Sequence, residues 1–534
     1  MTKNSLFLPI VFALCAVNAF AQQFYASLVP APGECVAFVK PCDWGASVEK
    51  ILICTKLEFK PEHIKAKDFD VHKVLYAEGD SFGLNNGKLD LTDAYTADSS
   101  GNRIDAPSSF IAICTLVHPE ADNSNPFVTK NFGGGIRPWY GYKVENDELD
   151  FKIKKFKGFV SRERVLFSES EFEYTFPLPE PPVDNSELVG EAESEIKSKS
   201  KGKSKSKEKK SSKKKEKMPV PENVRMKYAC YIPDGEKLPL ILWFHGMGES
   251  GNDLNKLLFG IKTTALAQEK IQSHFENGVA ILAPQCPSGW LETTEVGKGG
   301  VHVWEPFDKD AVTKPVKNFF NTLFEVDKGV AENSEATDYD DSVKTSEQEE
   351  KKPYAAVSYY TAPVIALLEA FLFAHPEIDS NRIYVGGCSA GGYMTVNMMI
   401  QSPELFAAAF PICEYYLDSK ITNTQINQLA KKPLWFTYAT TDETVKPAKC
   451  SEPTITRLRS AGIKNLHTSI FENVTDTSGN YLLAPDADED DKEYNLSYVY
   501  DSHYSWIYVL NDECSDGELN LFDWLAEQKL KEDF

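Results

Sequence analysis

Long apolar runs that alternate with helical segments most limit how this chain can fold. The runs "LPLILWF" (238–244) and "GVAILAP" (278–284) show no polar alternation, which is typical of strands buried on both faces of a parallel sheet. Helical periods lie between and after them, in 252–275 and 359–375. Because strand–helix alternation builds a parallel sheet covered by helices, the sequence predicts an α/β domain over 218–534.

Residues 22–180 carry a different pattern. Segments such as 48–59, 108–117 and 171–179 are rich in β-branched and aromatic residues and are separated by Gly, Pro, Asn and Asp. No long helical period occurs there, so this part is expected to form an all-β sandwich. The chain length of 534 residues also favours two domains over one core.

Polar and charged segments connect and interrupt these domains. Residues 181–217 turn from proline-rich and acidic to lysine- and serine-rich, with twelve Lys and two Glu in 197–217, and are expected to form a disordered linker. A basic clamp for an anionic surface or glycan is the alternative. Two acidic stretches, 326–352 and 475–493, are predicted surface insertions. The formal net charge of −22 argues against nucleic acid as a partner.

The first 21 residues have the pattern of a secretory signal. Lys3 precedes an apolar run too short to span a bilayer, and small residues occupy the −3 and −1 positions of a cut between Ala21 and Gln22. The sequence therefore predicts cleavage there, a secreted or periplasmic protein, and no membrane span. A lipoprotein cut at Cys15 is disfavoured because Leu14 stands where a small residue is expected.

Removal of the signal leaves ten of the eleven cysteines, an even number in a compartment that permits disulfides. Their pairing stays open, although Cys388 is expected to remain free. No C-x-x-C pair occurs, and the sequence predicts neither a metal site nor an organic cofactor.

The motif "GCSAG" (387–391) is the strongest candidate for chemistry. A buried-type strand (382–387) precedes it and a helix (393–402) follows, which is the setting of a nucleophile elbow in an α/β-hydrolase fold. The sharp turn would present the Ser389 hydroxyl above the sheet, and the glycines would let neighbouring backbone pass. The alternative is a glycine-rich turn with no catalytic role.

A serine nucleophile needs a base and an acid, which follow it in this fold. Of the two later histidines, His467 lies inside a predicted strand, whereas His503 lies in a loop near the C-terminal helices. We therefore predict His503 as the base. Asp442 comes first after the strand "PLWFTYATT" and is the predicted acid, with Glu443 as the alternative.

An oxyanion hole needs two backbone N–H groups aimed at the developing negative charge. Ala390, directly after Ser389, is predicted to supply one. The loop in "WFHGMGESG" (243–251) follows a buried strand, and Met247 is its predicted donor, with Gly246 as the alternative. His245 precedes the nucleophile and is interpreted as a structural residue.

The chain resembles secreted α/β-hydrolase esterases of the polyhydroxybutyrate-depolymerase and feruloyl-esterase type, which are also described as peptidases related to prolyl oligopeptidase. The resemblance rests on "LPLILWFHGMGESGNDL", "DSNRIYVGGCSAGGYMTV", "KPLWFTYATTDETVKP" and "SHYSW", within roughly 238–510. It implies Ser389 as nucleophile, Asp442 as acid and His503 as base. It also implies Trp290 near the acyl pocket and an immunoglobulin-like N-terminal domain.

The resemblance implies an exported serine esterase that acts on esters of plant cell-wall polysaccharide, such as feruloyl or acetyl groups. A peptidase or a polyester depolymerase is the enzymatic alternative. A non-catalytic surface- or glycan-binding protein is the alternative from another class, and the complete set of catalytic residues argues against it. The sequence does not give the oligomeric state.

Overall fold

The structure is a computed structural model, and it describes residues 24–76, 83–121, 124–128, 139–176, 218–219, 223–291, 293–296, 302–304, 357–483, 493 and 495–530. The predicted signal segment, the linker at 181–217 and the insertion at 326–352 lie outside these residues, as does the middle of the insertion at 475–493.

The N-terminal strands form two sheets that share one core. The strands are β1 (Phe24–Tyr25), β2 (Glu34–Cys42), β3 (Gly45–Phe59), β4 (Asp70–Tyr76), β5 (Gly83–Lys88), β6 (Leu91–Ala97), β7 (Ser108–Thr115), β8 (Gly141–Asn146), β9 (Phe151–Ile153) and β10 (Lys155–Val160). One sheet has the order β1-β10-β2-β3-β7-β6 and the other β5-β4-β8-β9. Ile51 and Ile53 of β3 share a buried cluster with Val71 of β4 and Val144 of β8. This arrangement agrees with a sandwich, and its immunoglobulin-like class stays a prediction.

The later part of the chain builds an eight-stranded sheet of the order β11-β13-β15-β14-β19-β20-β21-β22. The strands are β11 (Ser168–Thr175), β12 (Met218–Pro219), β13 (Asn223–Tyr231), β14 (Leu238–Phe244), β15 (Ala280–Gln285), β16 (Thr293–Val296), β17 (His302–Trp304), β18 (Val357–Ser358), β19 (Ile378–Cys388), β20 (Ala408–Ile412), β21 (Leu434–Ala439), β22 (Leu466–Phe471), β23 (Val474–Thr475) and β24 (Val499–Tyr500). Neighbours from β15 to β22 run parallel, whereas β13 is antiparallel to β11 and β15. Strands β12, β16, β17 and β18 form a small separate sheet, and β23 pairs with β24.

Helices cover both faces of the large sheet. They are α1 (Leu254–Gly260), α2 (Glu269–Gln272), α3 (Thr361–Ala374), α4 (Ala390–Gln401), α5 (Asn423–Leu429), α6 (Ser451–Ser460), α7 (Trp506–Leu510) and α8 (Leu521–Ala526). All seven residues of β14 are buried: Leu240 and Leu242 join one apolar cluster, and Ile241 and Trp243 join the other. The predicted α/β class is therefore confirmed. The continuous apolar runs of the sequence are strands with an apolar core on each side.

One strand and one helix differ from the sequence prediction. The segment 171–179 was assigned to the N-terminal sandwich, but β11 pairs antiparallel with β13 in the large sheet. Alternation identifies a strand and leaves its partner undetermined, which explains the error. The single helix predicted over 252–275 is broken, since α1 ends at Gly260 and Lys262 adopts a left-handed conformation with φ of 56°.

The N-terminal domain contacts the α/β domain at two places that matter for the site. The Trp139 indole N–H donates to Asp253 Oδ2 at 2.7 Å, and Asp253 also caps the start of α1. The Trp44 ring packs against Tyr500, with ring centroids 6.4 Å apart. These contacts lie close in sequence to the predicted oxyanion loop and to the predicted base.

The ten cysteines of the described part of the chain, Cys388 among them, are not joined in disulfides. Within the same residues, no helix has both the length and the apolar character needed to cross a membrane.

Candidate active site

Ser389 occupies a sharp turn between β19, which ends at Cys388, and α4, which begins at Ala390. Its φ of 57° and ψ of −117° lie in a region that residues with a side chain rarely adopt. Backbone bonds hold this conformation: the Ser389 N–H donates to the Ile412 carbonyl at 2.9 Å, and its own carbonyl accepts from Tyr393 at 2.9 Å. The structure therefore stores local strain at the predicted nucleophile, as a nucleophile elbow does.

Two glycines of the motif let the turn press against the end of β14. A Cβ built on Gly391 would come 2.7 Å from the His245 carbonyl oxygen. A Cβ on Gly387 would come 2.8 Å from Phe244 Cβ. Both distances are shorter than atoms of this kind tolerate, so a larger residue would force the turn away from the loop that follows β14.

Asp442 and His503 form a buried hydrogen-bonded pair. His503 Nδ1 lies 2.7 Å from Asp442 Oδ2. The other carboxylate oxygen, Oδ1, accepts the backbone N–H groups of Thr444 and Val445, each at 2.8 Å. The His503 backbone N–H is in turn fixed by Asp501 at 3.0 Å. The carboxylate orientation is thus set by its neighbours, and it fixes the imidazole ring with Nδ1 toward the acid.

The surroundings of His503 change its acid–base behaviour. Burial by itself lowers the pKa of an imidazole, whereas Cys413 and the Asp442 carboxylate favour the protonated ring. The net effect holds the pKa of His503 well above its ordinary value. The ring is therefore a stronger base than a free histidine.

Ser389 and His503 both interact with the turn that follows β20. The Ser389 backbone is bonded to both sides of this turn, donating to Ile412 at 2.9 Å and accepting from Tyr415 at 3.3 Å. Cys413 lies between these two residues in the sequence, and its side chain interacts with that of His503. The nucleophile candidate and the base candidate thus share one small neighbourhood at the carboxyl ends of β19, β20 and β21.

The loop after β14 lies beside the Ser389 turn. A Cβ on Gly246 would stand 3.8 Å from the Cys388 carbonyl oxygen. Met247 begins a 3₁₀ turn (Met247–Glu249), and Ala390 begins α4. The N–H group of the first residue of a helix has no acceptor within that helix, so both amides are suited to bind an anion between them.

His245 and Trp290 hold this loop through hydrogen bonds. His245 Nε2 accepts the Cys286 N–H at 2.9 Å, and its Nδ1 lies 2.6 Å from the Gly246 carbonyl oxygen. Both ring nitrogens are therefore used, and burial lowers the pKa of His245 to about 4. Trp290 is fully buried and donates its indole N–H to the His245 carbonyl at 3.1 Å. Because the Trp290 ring is fully buried, its predicted contact with the acyl group of a substrate stays a prediction.

The alternative acid, Glu443, and the alternative base, His467, make contacts away from the Asp442–His503 pair. The Glu443 side chain is 84% exposed and pairs with Lys446 at 3.1 Å. His467 stacks on Trp435 and hydrogen-bonds to Asp516 at 2.6 Å, on the last strand of the sheet.

Three groups near the site escaped the sequence analysis: Cys413 and Glu414, which are buried, and Glu249, which is partly buried. Burial raises the pKa of Glu414 to about 8, and this carboxylate accepts a bond from the Ser451 hydroxyl at 3.0 Å. Its signal in the sequence is a charged residue directly behind a buried strand. In the described ranges, no three His, Cys, Asp or Glu side chains are grouped so that they could hold a metal ion.

Comparison with known proteins agrees with this fold. The model of the prolyl oligopeptidase family (Peptidase S9) matches residues 363–416, which include most of α3 and the Ser389 turn. None of the curated proteins matches the sequence significantly.

Solved structures resemble the chain at low identity. A thermostable esterase has a TM-score of 0.52 at 19% identity, with 93% of this chain and 99% of that chain covered. An acylaminoacyl peptidase of Pyrococcus horikoshii has a TM-score of 0.27 at 15% identity, covering 48% of this chain and 36% of that one. A ferulic acid esterase has a TM-score of 0.28 at 10% identity, covering 47% and 85%. The first of these likenesses shows an α/β-hydrolase fold.

Proposed function

We propose that the protein is a serine hydrolase that cleaves carboxylic esters through an acyl-enzyme, with Ser389 as nucleophile, His503 as base and Asp442 as acid. The observation that carries the proposal is the Asp442–His503 pair, held by four hydrogen bonds beside a strained serine turn. A buried carboxylate and imidazole in this arrangement are typical of catalytic triads.

The first half of the reaction follows from this geometry. The Ser389 hydroxyl attacks the carbonyl carbon of the ester, and His503 accepts its proton. Asp442 keeps Nδ1 protonated, so that the Nε2 lone pair acts as the base, and it stabilises the imidazolium that forms. The backbone N–H groups of Met247 and Ala390 bind the oxyanion of the tetrahedral intermediate. Collapse of the intermediate releases the alcohol, which takes the proton from His503.

Deacylation repeats the same steps with water. His503 removes a proton from the water molecule, which attacks the acyl carbon. The second tetrahedral intermediate then expels the Ser389 oxygen, which recovers its proton. The carboxylic acid leaves, and the enzyme returns to its starting state without a cofactor taking part in any step.

Esters of plant cell-wall polysaccharide are the proposed substrates, and export is the proposed route of the protein. The family resemblance supports the substrate class, and the signal-like residues 1–21 support export. A peptidase is the second candidate, because the segment around Ser389 matches a prolyl oligopeptidase model.

A substrate panel with two variants tests the proposal. Wild type, Ser389→Ala and the control Ser460→Ala would be assayed with p-nitrophenyl acetate, methyl ferulate, acetylated xylan, a hydroxybutyrate oligomer and a peptide anilide. Ser460 is exposed on α6, so its variant should match wild type. Turnover of esters that disappears only in Ser389→Ala supports the proposal. Faster cleavage of the anilide favours the peptidase, and activity that survives in Ser389→Ala excludes Ser389 as nucleophile.

A further inference from the structure

Glu249 lies at the end of the 3₁₀ turn that carries the proposed oxyanion donor, and its side chain folds back into the protein. A Cβ on Gly246 would come 2.9 Å from Glu249 Oε2, and a Cβ on Gly260 would come 2.7 Å from Oε1. The carboxylate therefore fills a narrow space between the oxyanion loop and the end of α1. Glycine at both positions is what leaves room for it.

Hydrogen bonds hold the backbone at and after Glu249. The Gln285 amide donates to the Glu249 carbonyl and to the Asp253 carbonyl, both at 2.8 Å. The N–H groups of Gly246 and of Glu249 itself interact with the carboxylate and favour its charged form. The carboxylate thus interacts with the residue that precedes Met247, the predicted oxyanion donor.

Charged and titratable groups surround this carboxylate. Lys256 of α1 and His503 favour its ionised form, whereas burial favours the neutral acid and raises the pKa of Glu249 to about 7. Burial raises the pKa values of Cys388 and Tyr504, and the negative charge of Glu249 adds to both effects. The side chain is thus within electrostatic reach of both the Ser389 turn and the His503 loop, although the triad itself does not use it.

We propose that Glu249 is a positioning residue that holds the Gly246–Met247 peptide in the orientation required for binding the oxyanion, an inference that rests on the proposed function. The carboxylate links the loop to α1. That helix also contacts the N-terminal domain, because Phe259 of α1 packs on Phe24 with ring centroids 5.2 Å apart. Movement of the loop by about 1 Å would misplace one donor, and misplacement of this size can cost about 10²-fold in rate.

The test compares Glu249→Ala, Glu249→Gln and Glu404→Ala, the last being a control at an exposed carboxylate. The substrate is p-nitrophenyl acetate, and active sites are counted by labelling with a fluorophosphonate. For Glu249→Ala we expect kcat per active site to fall about 10- to 100-fold, with KM changed less than threefold, because the oxyanion is bound in the transition state. Glu249→Gln keeps an acceptor oxygen of the same reach and should recover most of the rate.

A second variant covers the case in which Glu249→Ala does not fold. Gly260→Ala places a methyl group 2.7 Å from Oε1, which is closer than ordinary contact, so it should displace the carboxylate and lower kcat in the same way. Unchanged kcat per active site in Glu249→Ala or Gly260→Ala, with an active wild type, overturns the positioning role. A wild type that neither hydrolyses esters nor reacts with the fluorophosphonate overturns the proposed function first, and this inference with it.

Discussion

Replacing Asp442 by Asn tests the acid–base pair most directly. Oδ1 of Asp442 accepts two backbone N–H groups at 2.8 Å, from Thr444 and Val445. In Asp442→Asn the amide oxygen is expected to keep these bonds, so the NH₂ group turns toward His503. The imidazole must then accept at Nδ1 and carry its proton on Nε2, which removes the lone pair that receives the serine proton.

The expected loss is large. The corresponding change in a serine protease lowers kcat by about 10⁴-fold, which corresponds to about 5.5 kcal/mol in the activation barrier. The lost charge also matters, because the carboxylate stabilises the imidazolium form of His503. The pKa of His503, now held well above its ordinary value, should therefore fall.

The assay is the pH dependence of kcat/KM with p-nitrophenyl acetate. A protonated His503 cannot act as base, so wild-type activity should fall as the pH drops through a pKa that lies above 6.5. Asp442→Asn should show a much lower plateau and an acidic limb shifted to lower pH. Glu443→Gln, the neighbouring exposed carboxylate, is the control and should match wild type. A value within tenfold of wild type for Asp442→Asn would refute the assignment of the acid.

Three further outcomes are expected. His467→Gln should leave kcat/KM within about twofold of wild type, because this ring bonds to Asp516 away from the site; a loss above tenfold in the same ester assay would contradict this. Trp139→Phe removes the N–H that bonds to Asp253, and thermal unfolding should show a loss of about 1 kcal/mol; an unchanged melting curve would contradict it. Gly387→Ala should sharply reduce soluble, fluorophosphonate-reactive protein, since its Cβ would meet β14 at 2.8 Å; normal yield and labelling would refute the packing argument.

The sequence predicted the α/β domain well because its signals are local. Each buried strand is a continuous apolar run, and the turn at Ser389 is marked by glycines that the packing against β14 requires. The placement of β11 was wrong for a physical reason: an alternating strand satisfies either sheet equally, and only the three-dimensional pairing with β13 decides. The short helices α5 and α7 have too few turns to show a helical period.

Chain order restricts which residues can be the candidate base, but it does not restrict which other side chains lie near the candidate site. Only two histidines follow Ser389, and the structure pairs the one predicted as base, His503, with Asp442. Its role as base stays a prediction. Glu249 had no such restriction. A glutamate in a glycine-rich loop is expected to face solvent, and its inward position depends on Gly260, which lies eleven residues later at the end of another element.

The contacts of the N-terminal domain imply that the two domains do not act independently. Trp139 bonds to the cap of α1, whose far end encloses the Glu249 carboxylate, and Trp44 packs on Tyr500, three residues before His503. One domain therefore contacts the supports of both the proposed oxyanion loop and the proposed base. Because catalysis depends on donors held to within about half an ångström, we expect a domain that contacts the supports of both loops to contribute to the rate of the proposed reaction even though it supplies no reacting group.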